Sequence, residues 1–477
     1  MSPARLLISA AHKSSGKTTV SIGLCAALQR RGLAVQAFKK GPDYIDPMWL
    51  SRASKRACRN LDFYLMQKQE IHSLFARHAV AADISIIEGN KGLYDGLDLD
   101  GSNSNAALAQ LLETPVILVI DARGMTRGIA PLILGYQAFD RDLRIAGVIL
   151  NRIGGARHEA KLRAVIEHYT DIPVLGGIHE HPQLQIEERH LGLMPSSEAA
   201  DATQLIEKIA TLVGAQVDLD RLIDIARSAP PLSARADKLI RLPIATRNAA
   251  KGLRIGVVRD KAFGFYYIDD LEALEKSGAE LIFIDTLGDQ SLPALDGLII
   301  GGGFPELFLS ELEANISLRA DIGRAIEDGL PVYAECGGLM YLARSITWRG
   351  ITRRMVGAIA GDVVMHDKPV GRGYVRLRPT GLAPWSVVAG DDELCAHEFH
   401  YSSLENLGKV KFAYEVTRGY GIDGHHDGII YKNVLASYTH LRSVGMVNWA
   451  ERYLGFVRQV VASRCTAMQA SVQVGVA

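Results

Sequence analysis

The stretch Leu6-Leu-Ile-Ser-Ala-Ala-His-Lys-Ser-Ser-Gly-Lys-Thr-Thr19 decides the fold of the first half of the chain. Leu6–Ala10 is an apolar run of strand length, and Thr18 opens a helical segment. Between them, Ala11–Thr19 approximates the phosphate-loop pattern GxxxxGK[ST], with Ala11 where the first glycine usually stands. A loop of this kind wraps backbone N–H groups around phosphate oxygens at a helix N-terminus. Ser15, Gly16, Lys17, Thr18 and Thr19 are therefore the candidate nucleotide-binding residues. Lys17 would act as a mobile cation on the terminal phosphates and Thr18 as a hydroxyl ligand for Mg²⁺. The competing reading is a plain strand-to-helix turn with a solvated lysine. The place of the motif, between the first strand and the first helix, favours the phosphate loop.

Outward from this loop, short β-branched runs alternate with helical stretches. Val35–Phe38, Ile84–Glu88, Val116–Asp121 and Ala146–Asn151 have the uninterrupted apolar character of buried parallel strands, and Thr18–Arg31 and Ala106–Leu112 read as helices. The alternation predicts a doubly wound α/β domain. Ligands in such sheets bind beyond the carboxyl ends of the strands. Two clusters lie there: Phe38-Lys-Lys-Gly-Pro-Asp-Tyr-Ile-Asp46 and Glu88-Gly-Asn-Lys-Gly-Leu-Tyr-Asp-Gly96. Their carboxylates, Asp43 and Glu88, are the candidate oxygen ligands of an ATP-bound Mg²⁺, together with Thr18.

The segment 228–251, SAPPLSARADKLIRLPIATRNAAK, breaks the rhythm with adjacent prolines and no clear period. It predicts a boundary: a first domain over 1–228, a linker over 229–251, a second domain over 252–462 and a tail over 463–477. The second domain resumes the alternation with Leu253–Arg259, Leu281–Ile284, Gly297–Ile300 and Pro331–Glu335, so the expected fold is two doubly wound α/β domains. Within it, Pro331-Val-Tyr-Ala-Glu-Cys-Gly-Gly-Leu-Met340 reads as strand, sharp turn and helix. That layout exposes a nucleophile at a helix N-terminus and favours a thiolate at Cys336. The glycines ending Leu298–Gly303 place backbone amides for an oxyanion hole, Gly302 and Gly303 foremost. The base must be a histidine brought near in space. His440, at the end of Ala436-Ser-Tyr-Thr-His440, is the first candidate, with His397 and His400 as rivals.

Composition excludes several classes. The 477 residues carry 53 basic and 53 acidic side chains, so no global field points to nucleic acid or to a membrane. No apolar run reaches membrane-spanning length and the N-terminus lacks a signal-peptide layout. The five cysteines form no CxxC pair, which leaves neither a disulfide framework nor a zinc knuckle. A cytoplasmic enzyme is expected, with a homodimer as the oligomeric guess.

Taken together, the Lys-Thr-Thr loop, Lys40–Asp46, Gly92–Gly96, Gly301–Glu306, Glu335–Gly338 and His397-Glu-Phe-His-Tyr-Ser402 resemble the cobyrinic acid a,c-diamide synthase family. In that family a dethiobiotin-synthetase-like P-loop ATPase domain precedes a class I glutamine amidotransferase domain. The resemblance implies that Cys336 attacks the amide of glutamine with His440 as base. It implies further that the first domain uses ATP and Mg²⁺ to phosphorylate a carboxylate of a tetrapyrrole, and that ammonia, passed between the two sites and kept from bulk water, displaces the phosphate. Asn151 matches the residue that contacts adenine in dethiobiotin-synthetase-like domains. Tyr44, Asp46, Asn90, Lys91 and Asp95 would face the substrate, as would His397 and His400 if they are not the base.

Three departures stand out. Many triad amidotransferases have glutamate two residues after the histidine, where this chain has Arg442, so an orienting carboxylate is absent or comes from elsewhere. His12 and Lys13 replace small residues in the phosphate loop. Asn90-Lys91 replaces an apolar pair. Added basic groups near the substrate suit a polycarboxylate, which keeps sirohaem or a metal-sirohydrochlorin open as an alternative substrate. A non-catalytic nucleotide and glutamine sensor is the reading from another class, and the Cys336/His440 pair argues against it. A partition-type ATPase would account for the first domain alone.

Overall fold

Apolar runs with no polar interruption need cover on both faces, and that requirement shapes both halves. The structure is a computed structural model that describes residues 3–181, 186, 188–189, 192–198, 201–232, 250–387, 392–445 and 447–474. The chain divides into two compact units, Met1–Ile240 and Arg241–Ala477. The division falls inside the expected linker 229–251, of which residues 233–249 lie outside the described residues.

The first unit is built on seven strands: β1 (Arg5–Ala10), β2 (Val35–Lys40), β3 (Arg59–Leu61), β4 (Ile84–Glu88), β5 (Val116–Asp121), β6 (Ile145–Ile153) and β7 (Val174–His179). They form one sheet in the order β3-β2-β4-β1-β5-β6-β7, with every pairing parallel. β1 is central and fully buried, and Leu6, Leu7 and Ile8 expose nothing. Burying each such side chain is worth about 1.5–3 kcal/mol. The helix Lys17–Arg30 leaves the C-terminal end of β1, whose neighbours are β4 and β5, with β2 next beyond β4. The two acidic clusters are therefore delivered to the same edge as the phosphate loop.

The second unit carries a nine-stranded sheet: β8 (Arg254–Val258), β9 (Glu280–Ile284), β10 (Gly297–Ile300), β11 (Val332–Glu335), β12 (Gly371–Pro379), β13 (Leu394–His400), β14 (Lys411–Arg418), β15 (His426–Tyr431) and β16 (Val434–Ser437). The order is β9-β8-β10-β11-β16-β15-β14-β12-β13. The first five strands are mutually parallel, and the last four pair antiparallel. The doubly wound pattern expected from the sequence holds for the parallel part. The antiparallel extension was not visible because its strands follow one another through turns instead of helices, and mix buried with exposed positions along β12 and β14.

The last helix, Trp449–Val474, runs across the expected domain end at 462, with no proline to stop it. Its residues Trp449, Ala450, Tyr453, Leu454 and Val457 are buried on one face. Among the described residues no helix is long and apolar enough to cross a membrane.

Candidate active site

In the first unit, the phosphate loop turns on Ser14 and Gly16, which have φ of 62° and 81°. Gly16 precedes the helix Lys17–Arg30, and a β-carbon on it would sit 2.2 Å from Asn151 Nδ2. Only glycine meets both the left-handed backbone and this close approach. Two residues from the end of β6 brace the loop. Asn151 Nδ2 donates to the Ser15 carbonyl at 2.9 Å, and Arg152 donates to the Ser14 carbonyl at 2.8 Å while pairing with Asp121 at 2.8 Å. The geometry thus gives Asn151 a contact that braces the phosphate loop.

Lys17 is buried and donates to the Lys91 carbonyl at 2.7 Å, tying the phosphate loop to the loop after β4. Burial, and secondarily Lys39, lower its ammonium to about 8. Thr18 Oγ1 donates to Glu88 Oε1 at 2.6 Å and approaches Asp46 Oδ2 at 3.3 Å. At the centre stands Lys39, which lies 2.5 Å from Asp46, 2.9 Å from Glu88 and 3.7 Å from Asp43. Burial opposes its charge, but these carboxylates outweigh burial and hold it well above the usual lysine range. Burial pushes Glu88 up, against the pull of Lys39.

The other residues expected at this edge have definite local tasks. Asp43 Oδ1 accepts from the backbone of Ile45 and Asp46, capping the helix Ile45–Ser54. Tyr44 is buried at the start of that helix. Asp95 accepts from the Gly92 amide at 2.8 Å and closes a turn. Asn90 Oδ1 accepts from Lys40 at 3.0 Å, and Lys91 is an exposed side chain on a backbone with φ of 41°. His12 and Lys13 are exposed.

Sequence reasoning missed Lys39 and Asn105. Lys39 had a signal, a charged side chain inside an otherwise buried strand. Asn105 had none, being an ordinary helix-start residue. It is fully buried, accepts from the Asn90 amide and donates to Ser9 and to the carbonyls of Asn90 and Gly92. It therefore sets the shape of the loop that Lys17 grips.

In the second unit, Cys336 ends the turn after β11 with φ 46° and ψ −101°, and leads into the helix Gly337–Leu342. Its amide donates to the Ser437 carbonyl at 2.7 Å, which helps hold a backbone that costs about 1–3 kcal/mol. Cys336 and Glu335 both favour charge on the His440 ring. His440 Nδ1 lies 3.2 Å from Glu335 Oε2. Burial works against charge on the imidazole, but Cys336 and Glu335 outweigh it and raise His440 to about 10.

Gly302 and Gly303 form a short strand paired antiparallel with Phe263–Phe265. A β-carbon on Gly302 would fall 2.6 Å from His440 Cε1, and one on Gly337 would fall 3.0 Å from the Gly303 amide nitrogen. The two glycines thus lie against the base and the start of the nucleophile's helix. Gly302→Ala is expected to push the imidazole aside at a cost of about 1–3 kcal/mol, or ~10-fold to ~100-fold in glutamine-dependent rate. Steady-state glutaminase assays, with ammonium-dependent amidation as the control, would measure this.

The two rival histidines have other places. His397 stacks on His440 with ring centroids 4.9 Å apart, and the two residues pair through their backbones. Burial, then the neighbouring His440 and Arg442, keep it well below the usual imidazole range, so it is neutral. His400 stacks on Tyr438 at 3.9 Å and its Nδ1 lies 2.8 Å from the Ser402 carbonyl. Both are buried. Arg442 is buried too, paired with Asp269 at 2.9 Å and lying over the Tyr267 ring. All five cysteines are free thiols.

Two family profiles match the two units. The CobQ/CobB/MinD/ParA nucleotide-binding domain matches residues 7–193, and the CobB/CobQ-like glutamine amidotransferase domain matches residues 254–444. Curated relatives cover nearly the whole chain. A cobyrinate a,c-diamide synthase of Magnetococcus marinus is 46% identical over 95% of this chain and 97% of its own. One from Methanosarcina acetivorans is 43% identical over 92% of both, and one from Archaeoglobus fulgidus is 40% identical over 94% of this chain and 96% of its own. A nucleotide-binding unit followed by a glutamine amidotransferase unit, matched end to end at this identity, places the chain in the cobyrinate a,c-diamide synthase family.

Proposed function

We propose that this chain uses ATP and glutamine to amidate the a and c side-chain carboxylates of cobyrinate or hydrogenobyrinate. The observation that carries the reading is the coexistence, in one chain, of a phosphate loop facing Asp46 and Glu88 and of a Cys336–His440 pair on a strained turn. At the second unit, the Cys336 sulfur attacks the side-chain carbonyl of glutamine. The tetrahedral oxyanion is met by the amides of Gly302 and Gly303, and His440 gives the leaving ammonia its proton. Water then hydrolyses the thioester to release glutamate. At the first unit, a substrate carboxylate oxygen attacks the terminal phosphoryl group of ATP, breaking its bond to ADP. Ammonia attacks the acyl carbon, phosphate leaves, and the amide remains.

The residues around Thr18 fit a hard cation. Glu88 Oε2 is buried with no hydrogen-bond partner among the described residues, and Thr18, Asp43 and Asp46 add hydroxyl and carboxylate oxygens. Among the described residues no three acidic, histidine or cysteine side chains form a ready-made metal cage. Mg²⁺ needs none, because it binds through one or two carboxylates plus phosphate oxygens. It would be held by Thr18 and Glu88, and when bound it would neutralise charge on the ATP phosphates. Lys39 keeps the carboxylates Asp46 and Glu88 in place, and Lys17 reaches the phosphates. Asp46 and Asp95 would lie nearest the substrate carboxylate. A cytoplasmic setting suits a reaction that consumes ATP and glutamine.

A substrate panel tests the reading. Purified protein with ATP, Mg²⁺ and amide-¹⁵N glutamine is incubated separately with cobyrinic acid, hydrogenobyrinic acid, sirohaem and sirohydrochlorin. Mass spectrometry is expected to show two ¹⁵N atoms in one of the two corrinoids. Label in sirohaem alone would overturn the substrate assignment and make Asn90-Lys91 a specificity mark.

A further inference from the structure

We propose that Glu335, the residue immediately before the nucleophile, is the positioning carboxylate that fixes the tautomer of His440 and supports its positive charge during glutamine cleavage. The proposal rests on the reading of Cys336 and His440 as the glutaminase pair. It starts from register. β11 and β16 are parallel neighbours, and Glu335 stands opposite Ser437, three residues before His440. The strand that ends in the nucleophile therefore carries a carboxylate beside the strand that delivers the base.

Both oxygens of Glu335 are engaged. Oε2 faces His440 Nδ1 at 3.2 Å. Oε1 accepts from the Leu441 amide at 2.9 Å and from the Tyr333 hydroxyl. Tyr333 is two residues earlier and so shares a face of the strand with Glu335. The carboxylate is buried and held from two sides, which fixes it toward Nδ1. With Nδ1–H donating to Glu335, Nε2 is left as the nitrogen for the Cys336 sulfur.

The neighbouring carboxylates are directed elsewhere. Asp269 pairs with Arg442. Asp270 accepts from the Ser443 amide and the Trp449 indole. Asp427 accepts from the amides of Gly428, Tyr438 and Thr439. The basic side chain two residues after His440 thus belongs to a separate ion pair, and the acid comes from the other side. Among the described residues, the groups seen at the His440 ring include Glu335 at Nδ1, Cys336, the neutral His397 stacked on its face and Gly302 at Cε1, with Arg442 beyond, near His397. Glu335 is thus the carboxylate at the ring.

Glu335→Gln is the test, because the amide keeps the shape. Its Oε1 can still accept from Leu441 and Tyr333, but its NH₂ would face Nδ1 and favour the Nε2–H tautomer. That tautomer cannot take the thiol proton. Glutaminase kcat is expected to fall ~10²-fold to ~10⁴-fold with KM nearly unchanged, while ammonium-supported amidation persists. The rate of Cys336 alkylation by iodoacetamide against pH adds a readout that a purely structural role would not move. Without the carboxylate the thiolate–imidazolium pair is less favoured, so the acid limb of that curve moves to higher pH. Tyr333→Phe removes one clamp and is expected to give a milder fall with a shift of the same sign. It decides the matter if the glutamine variant does not fold. A glutaminase kcat and alkylation curve like the parent's in the folded variants would overturn the proposal. Cys336→Ser and His440→Ala run alongside. If they too kept full glutaminase activity, the fault would lie in the reading of the pair and not in Glu335.

Discussion

Cys336→Ser is expected to lower glutamine-dependent amidation by ~10³-fold or more, while amidation supported by ammonium salts continues. The substitution changes one atom. Serine fits the same volume, tolerates the positive φ as cysteine does, and keeps the backbone bond to Ser437. What is lost is the nucleophile: a hydroxyl holds its proton far more tightly than a thiol, so serine offers the site no comparable attacking atom. The synthetase chemistry uses none of these atoms. It needs ammonia at an acyl phosphate formed beside Lys17 and Thr18, and ammonia added to the buffer supplies it. The ammonium-supported rate should climb with pH as more of the added nitrogen is unprotonated. Loss of both activities in a folded variant would rule out two separable sites.

Much of this division was readable from the chain because each site sits where a buried strand ends. Leu6–Ile8 and Val332–Ala334 are buried runs dominated by apolar and aromatic side chains, so the polar residues that follow them announce loops at a strand's carboxyl edge. Cys336, Lys17, Thr18, Glu88 and Asp46 were singled out that way. The antiparallel half of the second sheet was not, since no helical segments separate its strands and their mixed burial gives a weak periodic signal. Residues that act by bracing were harder still. Asn105 reaches Ser9 on β1 and both Asn90 and Gly92 in the loop after β4, and nothing local marks it. Lys39 and Glu335 share a different signature: each is a charged side chain within a strand that is otherwise buried. Such a charge is too costly to leave unpaired, so it implies a partner across the sheet. The sequence cannot name that partner, because it depends on which strands are neighbours. For Glu335 the neighbour is β16, and the expected search two residues beyond His440 led instead to Arg442, which sits over Tyr267 in its own ion pair.

Lys17→Ala should remove amidation from glutamine and from ammonium alike, by ~10³-fold in each case. The reasoning separates it from the cysteine variant. Lys17 is the cation nearest the expected phosphates, and it also ties the phosphate loop to the Lys91 carbonyl at 2.7 Å. Truncation removes the charge that would stabilise the phosphoryl group in transfer and frees the loop that Asn105 shapes. Glutaminase activity measured alone should survive, because Cys336, His440 and Glu335 all belong to the other unit. The lysine carries a second signature. Burial, with a smaller contribution from Lys39, lowers it to about 8, so above that pH most of the population is neutral. The phosphates of ATP favour the charged form and must raise this value. Binding of ATP at pH 8.5 is therefore expected to take up protons, and the uptake should shrink toward zero near pH 6.5, where Lys17 is already charged. Calorimetry of ATP binding in buffers of different ionisation enthalpy reads the proton count directly, and the same titration on Lys17→Arg, whose guanidinium stays charged, should lose the uptake while keeping affinity. Proton uptake undiminished in that variant would assign the titration to another group, and full ATP-dependent turnover in Lys17→Ala would place the phosphates away from this loop.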